Sequence, residues 1–505
     1  MNGVSGQAQA ELEREHYALE RSRIDASTRV PVLVFFGFAV FWLLTGTLFA
    51  LLASIKMHMP GFLADHAWLT FGRVRPAHLN TVAYGWVVDS AFGVMIWLMA
   101  RLSWAELRYP SLLVAAACIW NTGVLIGTVA ILAGQGTSVE WLEFPIYVPP
   151  ILVVGYALIA VWTFVIFRDR REKHVYVSQW YIIGAMFWLP WLYVTANLLI
   201  FWFPVKGVLQ ASVLWWFGHN TIGLFFSPIA LAAVYYLIPK VIGRPVHSYY
   251  LSLIGFWSFA LFYNWAGTHH LIGGPLPAWL ITVGIVGSMM MFIPVGTTAL
   301  NHHMTMVGHF NQLRYSPTLR FVVFGAIAYT GSSMQGSLEA LRDVNRITHF
   351  THYTIGHAHF GLYAFFTMVM FGSMYYIVPR LTGWEWYSAN LIRAHFWCTA
   401  LGIILYVFAM CWGGWFQGVQ LAHTQPEGPF AFTMRGVLRG DGSPVPFLEI
   451  VRQSKFYLHL RSVAGGIITV GHLAFATLFV LNLMRYGQPR SGPTLLAKQK
   501  EVVAV

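Results

Sequence analysis

Long apolar stretches alternate with short polar ones along almost the whole chain. Runs of about twenty apolar residues recur about twelve times, and that is the length at which a helix crosses the hydrocarbon core of a bilayer. We therefore predict an all-α integral membrane protein with about twelve transmembrane helices. The predicted spans lie near residues 31–55, 77–101, 110–133, 147–167, 178–203, 208–238, 249–269, 277–301, 319–338, 353–379, 392–416 and 460–484.

Composition agrees with this pattern, since 57% of the residues are hydrophobic, 10% are charged and the mean hydropathy is +0.59. The chain also has a net charge of +12, and the positions of its basic residues explain this excess. They gather in alternate loops, such as the loop with Arg168, Arg170 and Arg171, whereas an opposite loop carries Glu140 and Glu143. The positive-inside bias therefore predicts that both termini are cytoplasmic, and nucleic-acid binding is not needed to explain the charge.

Three segments follow from the same pattern. Residues 1–30 have mixed charge and no apolar core of the signal-peptide kind, so we predict a cytoplasmic, partly helical N-terminal arm. Residues 31–485 form the twelve-helix catalytic membrane domain, and residues 486–505 form a cytoplasmic C-terminal tail. We therefore expect most of the chain to be embedded in the lipid bilayer.

A His-x-His motif, His357 and His359, lies in the tenth apolar run. Histidine is costly in hydrocarbon, and side chains two residues apart on a helix point about 200° apart. The two imidazoles therefore face opposite sides of the helix, which suits two different metal groups flanking it. A single such motif is also explained by buried histidines with ordinary hydrogen-bond partners.

Other histidines strengthen the metal interpretation. His78 follows Arg75 by three residues, His219 lies in the sixth span, and His269 and His270 lie at the end of the seventh. In the predicted topology all six histidines lie in the outer part of the membrane. Six imidazoles suffice for a bis-histidine haem, a five-coordinate haem with one open face, and a three-histidine metal beside that face. Arg75 suits either an interfacial anchor or a partner for haem propionates.

These motifs together resemble the haem-copper oxidase superfamily in its catalytic subunit I. Within it the chain is most similar to the cbb3-type (C-family) cytochrome c oxidases, from about residue 73 to residue 480. The resemblance is carried by Arg-x-Arg-Pro-x-His at 73–78, Trp-Trp-x-Gly-His-Asn at 215–220, Trp-Ala-Gly-x-His-His at 265–270 and Tyr-Thr-Ile-Gly-His-x-His at 353–359.

The resemblance implies two haems, a low-spin haem b and a high-spin haem of the b type, and one copper ion. It implies that low-spin haem iron is bound by His78 and His359, high-spin haem iron by His357, and copper by His219, His269 and His270. It further implies that His349 and Arg461 contact haem propionates.

The implied function is that of a respiratory terminal oxidase in the bacterial cytoplasmic (inner) membrane. Oxygen would be reduced to water with electrons from a c-type cytochrome, and the reaction would be coupled to transmembrane proton transfer. The chain has no CxxCH motif for covalent haem, so the expected partners are membrane-anchored c-type cytochrome subunits.

Oxygen and nitric oxide reduction share this scaffold, so one position is informative. Gly223 stands four residues after His219, where many oxidases of other families have a tyrosine and related nitric oxide reductases a glutamate. The cbb3-type enzymes take the active-site tyrosine from the next helix, and Tyr263 matches it. Resemblance assigns Tyr263 a catalytic role and a cross-link to His219; the alternative is an ordinary interior aromatic.

One departure keeps a divergent nitric oxide reductase open as an alternative. Gln335 stands where the family usually has a glutamate, and Glu339 lies one turn further on. Both are candidates for a proton path, with Tyr235, Tyr249 and Ser252 at the inner ends of the sixth and seventh spans. An interfacial tyrosine belt would look similar.

Two further expectations complete the prediction. His302, His303 and His309 at the inner end of the eighth span are expected to be interfacial. A non-enzymatic haem carrier would have no use for the three-histidine cluster together with Tyr263, and a transporter would need broken-helix signals that we do not find.

Overall fold

The computed structural model describes residues 2–422 and 446–490. Within these two ranges the chain is almost entirely helical, and the one β-bridge joins Trp384 to Pro489. The all-α prediction is therefore confirmed. Most of the predicted C-terminal tail, and residues 423–445 of the long connection before the last helix, lie outside the described residues.

Twelve long helices make up the described part of the chain. They are α1 (Asn2–His58), α2 (Phe71–Ser103), α3 (Pro110–Ala133), α4 (Pro149–Arg168), α5 (Val177–Trp202), α6 (Val208–Ile242), α7 (Tyr249–Ala266), α8 (Ala278–Met306), α9 (Pro317–Glu339), α10 (His352–Thr382), α11 (Ala389–Leu421) and α12 (Phe447–Leu483).

Ten of these helices are long and apolar enough to cross a membrane, which makes the chain a multi-pass membrane protein. The other two, α7 and α9, coincide with predicted spans, but the count of twelve crossings stays a prediction. Helices are the expected solution, because the hydrocarbon core offers no partner for backbone N–H and C=O groups. Proline at the first position begins α3, α4 and α9.

The N-terminal arm and the first predicted span form one helix, since α1 is unbroken from Asn2 to His58. Its inner part is held against the end of α2. Asp25 accepts a hydrogen bond from Trp97 Nε1 at 3.0 Å and pairs with Arg101 at 3.3 Å. Glu20 likewise accepts from Trp104 Nε1 at 2.7 Å. The polar residues before the span therefore fix its position against the bundle.

Three helices widen into π-helical segments immediately after predicted metal ligands. The segments are Thr81–Val87 in α2, Ile222–Phe226 in α6 and Phe360–Thr367 in α10. Each begins within three residues of a histidine of the predicted constellation. π-helical turns inside α-helices occur often at functional sites, because they redirect side chains and backbone groups. Their placement marks the same parts of the bundle as the histidines do.

A buried polar network joins the first three helices. Asn121 of α3 accepts from Trp42 Nε1 of α1 at 2.6 Å and donates to Asp89 Oδ1 of α2 at 2.9 Å. All three side chains are almost inaccessible. In such surroundings each group depends on the others for its hydrogen bonds.

Asn121→Leu should therefore destabilise the bundle. The substitution keeps the branching at Cγ, in a larger side chain, but leaves the Trp42 N–H and the Asp89 carboxyl without partners, at a cost of about 2 kcal/mol or more. Thermal unfolding of the purified protein in detergent, followed by circular dichroism, should show a lower Tm. Leu125→Ala on the exposed face of the same helix should leave the Tm nearly unchanged; equal losses in both variants would argue against the network.

Candidate metal centres

Three histidines converge near the ends of α6 and α7 that are predicted to face the outer side of the membrane. The ligand atoms of His219, His269 and His270 lie within 4.8 Å of one another, and no other such histidine, cysteine or carboxylate cluster is found in residues 2–422 and 446–490. His219 lies in α6, whereas the other two occupy a short 3₁₀ turn that follows α7. The turn brings two adjacent imidazoles towards one point, which an α-helix does not do.

Hydrogen bonds orient two rings of this cluster. His219 Nδ1 lies 3.1 Å from Asn220 Oδ1, and His269 Nδ1 lies 2.7 Å from Ser288 Oγ. The Ser288 hydroxyl donates its own proton to a backbone carbonyl, so it accepts from His269. Both rings therefore present Nε2, which is the usual arrangement of metal-binding histidines. His270 stacks on Trp215 with ring centroids 4.3 Å apart.

His78 of α2 and His359 of α10 face each other as parallel rings. Their centroids are 6.5 Å apart and the ring planes differ by 10°. An imidazole nitrogen binds a metal at about 2 Å, so two axial rings on one metal have centroids about 6 Å apart. The Nδ1 atoms lie 2.9 Å from the carbonyl oxygens of Gly46 and Ile355, and both Nε2 atoms remain for a metal. The pair therefore fits bis-histidine ligation.

His357 points to the opposite side of α10, towards α9. Its Nδ1 lies 3.4 Å from Gln335 Oε1 and 3.6 Å from Glu339 Oε1. A Cβ on Gly336 would lie 2.9 Å from His357 Cε1, so the glycine lets the ring approach α9 closely. The side chain still keeps 29% of its surface accessible inside the bundle. One free Nε2 and this space fit a single axial bond to a flat macrocycle.

Tyr263 lies against the three-histidine cluster. Its ring stacks on that of His219, with centroids 4.5 Å apart and planes 23° apart. A Cβ on Gly223 would lie 1.8 Å from the Tyr263 ring, so any side chain there would displace the phenol. The α-helix ends at Ala266, before His269 and His270, so regular helical spacing does not relate Tyr263 to His270; the contact with α6 places the tyrosine instead.

The predicted propionate partners differ in their surroundings. Arg75 pairs with Glu140 and lies 3.7 Å from Glu143. Arg461 lies over the Tyr406 ring at 5.7 Å, and its Nε is buried without a hydrogen-bond partner. An unpartnered guanidinium N–H beside the His78 and His359 pair fits an anionic group such as a propionate. His349 lies in the turn before α10, where burial lowers its pKa.

Residues proposed for a proton path separate into two groups. Ser252 accepts from Asn301 Nδ2 at 2.8 Å, and both lie beside the buried Tyr235. Tyr249 is 42% exposed and packs on Trp180 instead. Gln335 and Glu339 lie at the other end of the bundle, beside His357.

Sequence analysis missed one buried residue, since His302 is not interfacial. It is 3% exposed, both ring nitrogens lack a partner, and its ring lies 4.4 Å from that of Tyr235. The hydroxyls of Tyr235, Thr298 and Tyr329 nearby are also unpartnered. The signal was present in the sequence, because adjacent His302 and His303 point about 100° apart and cannot both face the membrane surface.

A second residue of interest is the loop carboxyl Glu143. Burial raises its pKa to about 7, against the opposing effects of the Asn80 hydrogen bond and Arg75. In the unfolded chain the value is 4.5. The folded state therefore holds the proton more tightly, and folding stability falls as the pH rises from about 4.5 to about 7.

We expect Glu143→Gln to remove this pH dependence. Below about pH 4.5 the variant and the parent should unfold at similar temperatures, and above pH 7 the variant should be the more stable of the two. Paired thermal unfolding curves across this range measure the difference. A constant difference at every pH would show that Glu143 does not titrate in this window; Glu106→Gln in an opposite loop serves as the control.

Comparison with known proteins identifies the family of this chain. The family model described as Cytochrome C and Quinol oxidase polypeptide I matches residues 30–467. The Cbb3-type cytochrome c oxidase subunit CcoN1 of Stutzerimonas stutzeri is 30% identical over 86% of this chain and 91% of that protein. A bacteroid cytochrome c oxidase subunit 1 homolog of Bradyrhizobium diazoefficiens is 32% identical over 87% of this chain and 79% of that protein.

A solved structure of a haem-copper terminal oxidase dimer has the same fold. Its TM-score to this chain is 0.67 at 15% sequence identity, and the alignment covers 95% of this chain and 86% of that one. At this identity the likeness concerns the fold alone. The match of the family model over most of the sequence, however, is decisive: the chain belongs to the cytochrome c and quinol oxidase polypeptide I family.

Proposed function

We propose that this catalytic subunit of a terminal oxidase reduces oxygen to water, as a cbb3-type enzyme of the bacterial inner membrane with both termini in the cytoplasm. Electrons would come from membrane-anchored c-type cytochrome subunits. The relative named Cbb3-type cytochrome c oxidase subunit CcoN1 supports this specificity. The basic loop at the end of α4 supports the orientation.

The contact between Gly223 and Tyr263 carries the proposal. A phenol stacked on one histidine of the three-histidine cluster would be positioned to give a proton to the substrate. The same contact argues against the nitric oxide reductase alternative, because a glutamate at position 223 would occupy the space of the Tyr263 ring. Gln335 is the remaining observation that favours the alternative.

The residues present fit two haems and one copper ion, with the iron ligands His78, His359 and His357 and the copper ligands His219, His269 and His270. When bound, these groups would supply the electron transfer and the oxygen chemistry. The chain itself orients five of the six imidazoles through an Nδ1 partner, and His270 through stacking on Trp215. It also brings the Tyr263 ring against His219 of the three-histidine cluster.

Gln335 has a role here that needs no proton. Its carbonyl oxygen faces His357 Nδ1 at 3.4 Å, and its amide donates to Cys411 Sγ at 3.3 Å. The Gln335 side chain therefore accepts a hydrogen bond from the His357 ring and orients it. The carboxylate beside this ring comes from the nearby Glu339 instead. Hydrogen bonding of this kind tunes the basicity of a metal-bound imidazole. The substitution thus fits an oxidase in which this position acts on the haem ligand.

Proton supply fits a route through the opposite half of the bundle. Asn301 and Ser252 lie at its start, Tyr235 and His302 follow, and Tyr329 lies between Tyr235 and Tyr263. Unpartnered polar groups along this line fit bridging waters, since buried polar atoms in proteins are nearly always hydrogen-bonded. His302 would be the group that accepts and releases the proton.

Tyr263→Phe tests the reaction. Removing the phenolic proton while keeping the ring should lower oxygen consumption by at least about 100-fold and leave the haem absorption spectrum unchanged. Oxygen and nitric oxide consumption by the purified complex should be measured separately. Tyr156→Phe, a buried tyrosine elsewhere in the bundle, is the control. Nitric oxide reduction that exceeds oxygen reduction and ignores Tyr263→Phe would favour the reductase alternative.

His302→Gln tests the proton route. Glutamine keeps polarity and size but cannot carry a proton, so turnover at saturating oxygen should fall at least about tenfold while the KM for oxygen stays the same. The solvent deuterium isotope effect on turnover should increase. His303→Gln, on the neighbouring face of the same helix, should change turnover less than about twofold. Parent-like turnover and isotope effect in His302→Gln would exclude this residue from the route.

A further inference from the structure

A groove lies between the first turns of α9 and α11, at the end of the bundle opposite to the metal centres. Its volume is about 740 Å³ and its walls are mainly apolar. Phe324 and Ile327 line one side and Phe396 and Trp397 the other. Ile327 and Trp397 are more than half exposed, so the groove opens on the face that meets lipid.

Three arginines stand at the polar end of this groove: Arg314, Arg320 and Arg393. Arg320 donates to the carbonyl oxygens of Leu313 and Arg314 at 3.0 and 2.6 Å, and Arg393 donates to Asn390 Oδ1 at 2.8 Å. Each guanidinium has five N–H donors, so several remain. Among residues 2–422 and 446–490, no carboxylate forms an ion pair with any of the three.

The arginines also repel one another. Arg393 is close enough to Arg320 to act on its charge, and Arg320 is held over the Phe396 ring at 5.4 Å. Helices α9 and α11 both begin here, with caps at Ser316 and Ser388, so their positive dipole ends add to the field. A cluster of like charges at the mouth of an apolar groove would be stabilised by an anion that carries apolar chains.

We propose that this groove binds one anionic phospholipid. The phosphate would lie between Arg320 and Arg393, with Arg314 at its outer side, and an acyl chain would lie along Phe324, Ile327 and Trp397. Planar guanidinium groups bind phosphate oxygens in pairs, which makes arginine well suited to this position. The three arginines would repel the cationic group of a zwitterionic headgroup, so the groove should bind lipids with a net negative charge in preference.

Lipid binding can be measured directly on the purified complex. After delipidation in detergent, phosphatidylglycerol or phosphatidylcholine is added back and the bound lipid is counted by native mass spectrometry. We expect phosphatidylglycerol to be retained and phosphatidylcholine not. The double variant Arg320→Gln with Arg393→Gln should weaken phosphatidylglycerol binding at least about tenfold. Arg168→Gln, an exposed arginine at the same end of the bundle, should bind as the parent does.

A photocrosslinker placed at Ile327 identifies the occupant independently. Crosslinking to phospholipid, lost on delipidation and regained with phosphatidylglycerol, supports the proposal. Crosslinking to a protein segment overturns it, and so does displacement of the lipid by inorganic phosphate at similar concentration. Equal lipid retention by the parent and the double variant would also overturn it. An unchanged haem spectrum in the double variant shows that the fold is intact.

Discussion

A buried imidazole N–H is stabilised by a hydrogen-bond partner, and such partners orient five of the six predicted ligand histidines. Gly46, Ile355, Asn220, Ser288 and Gln335 each face the Nδ1 of a different histidine. Because Nδ1 is engaged by the protein, Nε2 is left as the single strong ligand atom. The orientation of each predicted metal bond is thus decided by neighbouring backbone and side chains.

The candidate site also requires that neighbouring helices approach closely. Glycine residues and π-helical turns allow this approach. Gly223 leaves room for Tyr263, and Gly336 leaves room for the ring of His357. The π-helical segments of α2, α6 and α10 follow the ligand histidines directly, so the irregular turns lie where the largest side chains and cofactors must be accommodated. These three departures from the regular helix therefore accompany the candidate ligands.

Charge is distributed by depth. At one end of the bundle Arg75, Glu140 and Glu143 lie near His78, and at the other end three arginines that have no carboxylate partner among the described residues line an apolar groove. Elsewhere in the bundle, His302 and the hydroxyls of Tyr235, Thr298 and Tyr329 are buried polar groups without a recorded hydrogen-bond partner. Polar side chains inside the membrane are costly, so their retention in a connected line towards Tyr263 supports a functional role.

The sequence by itself determined the fold class and indicated the candidate ligand histidines. Helical length follows from bilayer thickness, and the opposite facing of His357 and His359 follows from helical geometry, so both were accessible from local pattern. Only the tertiary structure decided which partner each imidazole faces, that Tyr263 is positioned by Gly223 of another helix, and that His302 is buried while Tyr249 is exposed. These properties depend on contacts between helices that are distant in sequence, and the local sequence pattern does not specify such contacts.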